Sequence, residues 1–189
     1  MTNEKRVLGF DISTSCIGWG LLQINEDQSI TYLNSGYFNP IKEGNIIKIL
    51  ADTRNKVLEI IKVNEPDYIG IEKLIEFMKG KSSAKTIIAL TGVNRMVSLL
   101  AYDYLAKPPE LLNVLSIRHG IKLTKILPKK EEIPELVAKH LNIVYPYEYT
   151  TRSKKLCVEN FDRADGIAVA LYYAFLLSGK IKPKKEKVI

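Results

Sequence analysis

The stretch "VLGFDISTSCIGWGLL", Val7 to Leu22, alternates two kinds of residue: Val7, Gly9 and Asp11 interleave with Leu8, Phe10 and Ile12. A period of two is the mark of a β-strand whose faces meet different surroundings. The lone carboxylate near its end has two readings, a buried hydrogen-bonded acid or a ligand, because an isolated buried charge is costly. "IGWGLLQI" is again apolar and β-like, and the polar "NEDQ" reads as a hairpin turn into "SITYLNSGYF". Three antiparallel strands are therefore expected to open the chain.

Asn45 to Val63 carries apolar residues at helical spacing, and "NEP" ends that helix. "DYIGIEKL" follows as a short strand in which Glu72 interrupts the apolar run Tyr68, Ile69, Ile71. A long helix is predicted over Ala84 to Leu105, with an apolar face wider than one core-facing stripe needs. "LLNVLSI" reads as a further strand, and "KKEEIPELVAKHL" as a short helix that tolerates Pro134 only near its first turn. "YPYEYTTRSKKLCVEN" reads as a loop rich in tyrosine and base, whose Tyr145, Tyr147 and Tyr149 either stack on a ligand or pack on the body. The final helix, "DRADGIAVALYYAFLL", opens on Asp162 and Asp165, which share one face of its first turn at a spacing of three. Trp19 is expected in the sheet core, and His119 and His140 as surface or capping residues.

With 189 residues, 46% hydrophobic and 26% charged, the chain suits one globular domain, residues 1–179, followed by a basic tail, residues 180–189. The N-terminus "MTNEKR" is polar and no unbroken apolar run of about 18 residues occurs, so a soluble cytoplasmic protein with no membrane segment is expected. Cys16 and Cys157 lie far apart and cannot make a zinc site alone, which fits a reducing compartment. A formal net charge of +7 favours a polyanionic partner.

Singly, each acid has a modest reading. Glu72 suits an exposed strand position, and a D-x-x-D pair at a helix start complements the helix dipole. Together, an acid on the first strand, one on a later strand and a pair on the last helix could converge at one end of a mixed sheet. Clustered carboxylates repel, and oxygen-preferring divalent cations neutralise them. Paired ions of that kind act on phosphodiesters.

In this order, "VLGFDISTSCIGWG", "DYIGIEKL" and "FDRADGIAVALYYA" resemble the RuvC family of Holliday-junction resolvases, over roughly residues 7–177. The resemblance implies an α/β, RNase H-like fold: a mixed five-stranded sheet, three antiparallel strands then parallel strands, flanked by helices. It implies two Mg²⁺ ions per active site, with Mn²⁺ as a possible substitute, on Asp11, Glu72, Asp162 and Asp165, with Lys122 and Lys130 beside the scissile phosphate. It further implies a homodimer through the helix at 84–105, acting on branched DNA such as four-way junctions. The bases expected on DNA are Lys79, Lys81, Lys85, Lys122, Lys129, Lys130, Arg152, Lys154 and Lys155. Two positions depart from the family pattern: Ile12-Ser13 replaces a Pro-Gly, and Ile75 replaces a base-stacking aromatic, with Phe77 two residues on. The expected function is a metal-dependent, structure-selective endodeoxyribonuclease; the alternative is a non-catalytic branched-DNA binder of the same fold.

Overall fold

The computed structural model describes residues 4–42, 44–74 and 84–182. Five strands, β1 (Lys5–Ile12), β2 (Ile17–Ile24), β3 (Ile30–Phe38), β4 (Tyr68–Glu72) and β5 (Glu110–Leu112), form one sheet in the order β3-β2-β1-β4-β5. β1–β2 and β2–β3 are antiparallel, whereas β1–β4 and β4–β5 are parallel. This is the mixed sheet the resemblance implies. The β2–β3 turn closes with Asn25 N–H donating to the Ser29 carbonyl at 2.9 Å, and Gln28 takes a φ of 64°.

The alternation in β1 separates two cores. Leu8, Phe10 and Ile12 point to one face with Ile69 and Ile71 of β4. There they meet Val57 and Ile61 of α1 (Ile46–Asn64), and Val93, Val97, Leu100 and Ala101 of α2 (Ala84–Leu105). Asn45 caps α1 by accepting from Ile47 N–H. By length and composition α2 is apolar enough to cross a membrane, although only part of it is buried in the body.

On the opposite face, Val7, Gly9 and Asp11 look toward α5 (Glu159–Leu177), which is backed by α3 (Val114–Ile121) and α4 (Ile133–Leu141). Gly9 pairs with Gly20 on one side and Gly70 on the other, so a row without side chains crosses three strands. Into that row α5 settles backbone first. A Cβ on Gly9 would stand 2.3 Å from the Ala170 nitrogen, and one on Gly18 would stand 1.8 Å from the Asp162 carbonyl oxygen. No larger residue fits at either position without lifting the helix. Fully buried Ile167, Val169 and Leu171 hold it down, at roughly 1.5–3 kcal/mol each.

Two expectations need correction. "LLNVLSI" is not one strand: β5 stops at Leu112, and the Asn113 side chain accepts from Leu115 N–H to start α3. A local cap outcompetes the apolar pattern there. The last helix begins at Glu159, so Asp162 lies in its first turn and Asp165 one turn further in. The short helix at 133–141 does carry Pro134 in its first turn, after a 3-10 turn over Lys130–Glu132. Trp19 is half-buried and packs against the α1–α2 core, with its ring over Gly36. The His140 ring bonds the carbonyl of Ile121, the last residue of α3, as a cap and packs edge-on to Phe175.

Candidate active site

Asp11 and Glu72 stand where the two parallel strands end. Phe10 pairs with Ile71, so the next residue on each strand, a carboxylate in both cases, turns to the α5 face. The close approach at Gly18 brings the first turns of α5 over that same end of the sheet. One carboxylate oxygen each from Asp11, Asp162 and Asp165 then falls within 4.8 Å of the others. Glu72 borders this trio, near enough for its charge to bear on Asp11 and for that of Asp165 to bear on it. Asn94 of α2, almost wholly buried, donates to the Glu72 carbonyl at 3.1 Å and fixes the strand end.

Crowding of anions sets the electrostatics. Burial, then the charges of Glu72, Asp165 and Asp162, holds the Asp11 carboxyl well above the usual carboxylate range, with Lys130 pulling the other way. Glu72 is pushed up to about 7 by burial and Asp165, against Arg118 and Lys130. Asp165 is raised by burial, opposed by Lys130 and Arg118. Lys130 Nζ donates to Asp162 Oδ1 at 2.7 Å and lies 3.2 Å from Asp165 Oδ2. Burial works against its charge, but those contacts win and lift its pKa above the ordinary lysine value.

A trio of half-buried carboxylates with one ammonium, that of Lys130, between two of them fits a hard divalent cation. The donors are all oxygen, and they converge from two elements far apart in sequence, β1 and α5. Beside them Ser13 organises the β1–β2 turn: its Oγ donates to the Cys16 carbonyl at 2.6 Å and accepts from Cys16 N–H at 2.9 Å. Burial, followed by the charge of neighbouring Asp162, raises the pKa of the buried Cys16 thiol.

The expected DNA-facing bases are scattered more widely. Lys79 and Lys81, with Ile75 and Phe77, lie outside the described residues. Lys85 is exposed in the first turn of α2, and Lys129 is exposed beside Lys130. Lys122 follows the last residue of α3, with Nζ 3.5 Å from the Lys125 carbonyl. Arg118, one turn earlier, is the cation from this part of the chain that bears on Glu72 and Asp165. Arg118, whose Nε is buried without a hydrogen-bond partner, was not singled out in the sequence; it directly follows the stretch 111–117 that reads as strand.

The 145–160 segment is more ordered than a loop. Tyr149 bridges Leu156 in antiparallel fashion, and Thr150 N–H donates to the Lys155 carbonyl at 2.7 Å. The result is a short arm with Arg152, Lys154 and Lys155 exposed at its tip. Tyr145 is buried and donates to the Asn160 carbonyl, whereas Tyr149 is 58% exposed.

No family model matches the chain. The crossover junction endodeoxyribonuclease RuvC of Christiangramia forsetii is 24% identical over 98% of this chain and 87% of its own length. Among solved structures, Thermus thermophilus RuvC in complex with a Holliday junction substrate superposes with a TM-score of 0.69 at 15% identity, over 91% of this chain and 94% of that one. Thermus thermophilus RuvC in a second structure gives 0.66 at 18% identity, over 93% and 96%. The yeast mitochondrial Holliday junction resolvase Ydc2 gives 0.65 at 16% identity, over 93% and 80%. The chain is thus RuvC-like: it has the RNase H-like fold of these proteins across nearly its whole length, with an acid trio at the end of the sheet.

Proposed function

We propose that this chain is a crossover junction endodeoxyribonuclease, a metal-dependent enzyme that resolves four-way junctions or other branched DNA by paired nicks in the cytoplasm. One observation carries the reading: the convergence of Asp11, Asp162 and Asp165 within 4.8 Å, bordered by Glu72, in a RuvC-like fold. A protein that only bound DNA would gain nothing from gathering repelling carboxylates where polyanion must dock.

Asp11, Glu72, Asp162 and Asp165 would hold two Mg²⁺, or Mn²⁺, ions. Bound there, such ions supply acidified water and charge stabilisation at a phosphodiester. The chain's own residues set the stage for that. Burial of Asp11 and Glu72 keeps the local dielectric low, so charges placed beside the reacting phosphate act strongly. Lys130 bridges Asp162 and Asp165 and brings an ammonium to the rim, where it can pair with a phosphate oxygen. Arg118 adds a second cation on the Glu72 side. Lys85, Lys129 and the arm tip Arg152, Lys154 and Lys155 supply phosphate contacts further out. Lys79, Lys81 and Lys122 are assigned to the same DNA surface.

Two nicks on opposed strands require two sites related by a two-fold axis. α2 offers the surface for a homodimer: Ile88 is 72% and Leu99 59% exposed, while the opposite side of the helix is core. The test is incubation of the protein with a labelled four-way junction and a matching linear duplex, with and without Mg²⁺. Symmetric nicks in the junction alone, only with Mg²⁺, are expected; binding of the junction without any cleavage would make the protein a non-catalytic binder.

A further inference from the structure

Arg163 sits between Asp162 and Asp165 in sequence, yet it belongs to neither the acid trio nor the DNA-facing bases. It is 6% exposed. One of its terminal nitrogens donates to the Pro146 carbonyl at 2.7 Å, the other pairs with Glu148 Oε1, and the guanidinium lies 5.2 Å from the centre of the Tyr37 ring. Tyr37, on β3, closes the set by donating its hydroxyl to Glu148 Oε2 at 2.7 Å. Glu148 is thereby held below the usual carboxylate range, first by Tyr37 and then by Arg163. The neighbouring Asn160 side chain, fully buried, accepts from Glu148 N–H and donates to the carbonyls of Glu148 and Cys157. Every one of these contacts is made at the base of the arm, and two of the side chains that make them, Asn160 and Arg163, come from the first turns of α5.

We propose that Arg163 is a positioning residue that couples the 148–157 arm to the acid-bearing turns of α5. Through Glu148 and Pro146 it fixes the arm against the segment that carries Asp162 and Asp165. A phosphate backbone gripped by Arg152, Lys154 and Lys155 at the tip is then held at a set distance from the acids. Tension on the arm is borne by the same turn of helix that places them. The pairing is planar and two-pronged, which a lysine at 163 would not reproduce. This inference rests on the junction-cleaving reading for its kinetic half only.

The test uses the full chain with Glu148→Ala, Glu148→Gln and Arg163→Lys. Glu148 is nearly half exposed, so its removal leaves the core intact; Arg163→Lys serves as the second variant if Glu148→Ala does not fold. At saturating junction and Mg²⁺, Glu148→Ala is expected to lower the single-turnover rate about tenfold, as loss of alignment does. Glu148→Gln, whose Oε1 can still accept from Arg163 while its amide N–H donates to the Tyr37 hydroxyl oxygen, is expected to recover most of that rate. Replacing Arg152, Lys154 and Lys155 together raises the half-saturating junction concentration, so the two sets separate rate from affinity. Hydrogen exchange on the free protein gives a readout that needs no cleavage. In Glu148→Ala, amides of the arm and of residues 159–165 are expected to exchange faster together. Acceleration confined to the arm, or a folded Glu148→Ala that cleaves at the wild-type saturated rate, overturns the proposal. Should the wild type cut no junction, the functional reading fails, and the exchange experiment still decides whether arm and helix move as one body.

Discussion

α2 and α5 are both long and apolar, yet they are used in opposite ways. α5 is buried on nearly every side: Ile167, Val169, Ala170 and Leu171 are inaccessible, and its backbone touches the glycine row of β1 and β2. α2 buries Val93, Val97 and Ala101 but leaves Ile88 and Leu99 in solvent. Apolar content alone therefore does not separate a helix buried on nearly every side from one that leaves an apolar stripe exposed. The sheet face beneath does. Glycines admit a helix backbone and draw its first turns over the strand ends, whereas Phe10 and Ile71 on the other face keep α2 at side-chain distance. α5 can carry two of the acids because its backbone lies against the strand ends.

The comparison breaks most sharply at Asp162. Asp162→Asn removes one anionic ligand from the site while Lys130 and the outer bases remain. Cleavage of a four-way junction is expected to fall at least about 10³-fold, equivalent to about 4 kcal/mol of barrier. Junction binding in a gel-shift assay should be retained. Nicking by the variant at the wild-type rate would remove Asp162 from the chemistry.

Next in size is Gly9→Val. The added side chain would meet the Ala170 nitrogen and the Gly166 carbonyl, which are backbone atoms that cannot turn aside. A loss of about 3 kcal/mol in urea unfolding is expected, at the upper end of overpacking penalties. A valine accepted there without cost would mean that α5 does not rest on the strands backbone first.

How much of this was legible beforehand depends on range. The alternation in Val7 to Ile12 and the interruption at Glu72 are local, and they mark each acid as out of place on its own strand before any coordinate is known. The glycine row is a cross-strand property: Gly9, Gly20 and Gly70 become neighbours only once register is set. Asn113 was read through as part of a strand because apolar residues flank it, although an asparagine before a helical stretch is an N-cap signal. Arg118 directly follows that misread stretch. Arg163 left a trace in "FDRAD", a cation between two acids, but its partners Tyr37 and Glu148 come from distant segments that no spacing rule connects.

A smaller effect follows from protonation on the α5 face. Glu72 has an ordinary value of 4.5 and stands at about 7 in the folded chain, so folding favours its protonated form. Stability from this group is fully present below about pH 4.5 and is lost as pH rises through 7. Asp11 and Asp165 shift in the same direction and add to it. In EDTA the melting temperature is expected to fall between pH 5 and pH 8. Added Mg²⁺ should restore it at pH 8 and flatten the profile, since a cation binds the ionised acids. A metal-free profile that rises with pH over that window would contradict the crowding of acids.

The smallest effect on folding is expected on α2, and it is the one that separates the two helices most cleanly. Ile88→Asp with Leu99→Asp changes only exposed side chains, so the protomer's own unfolding free energy should move by no more than about 0.5 kcal/mol per site. The same two charges would lie in the two-fold interface, where identical charges from the partner copy oppose them. Light scattering should then report a monomer where the wild type is a dimer, and junction cleavage should shift from paired cuts to single, uncoordinated nicks. Val93→Asp is the control on the other side of the helix. Val93 is fully buried among Phe10, Val57 and Val97, so that variant is expected to unfold rather than dissociate. A wild type already monomeric at micromolar concentration would leave the exposed stripe of α2 without the proposed partner and would place both nicks on independently bound protomers.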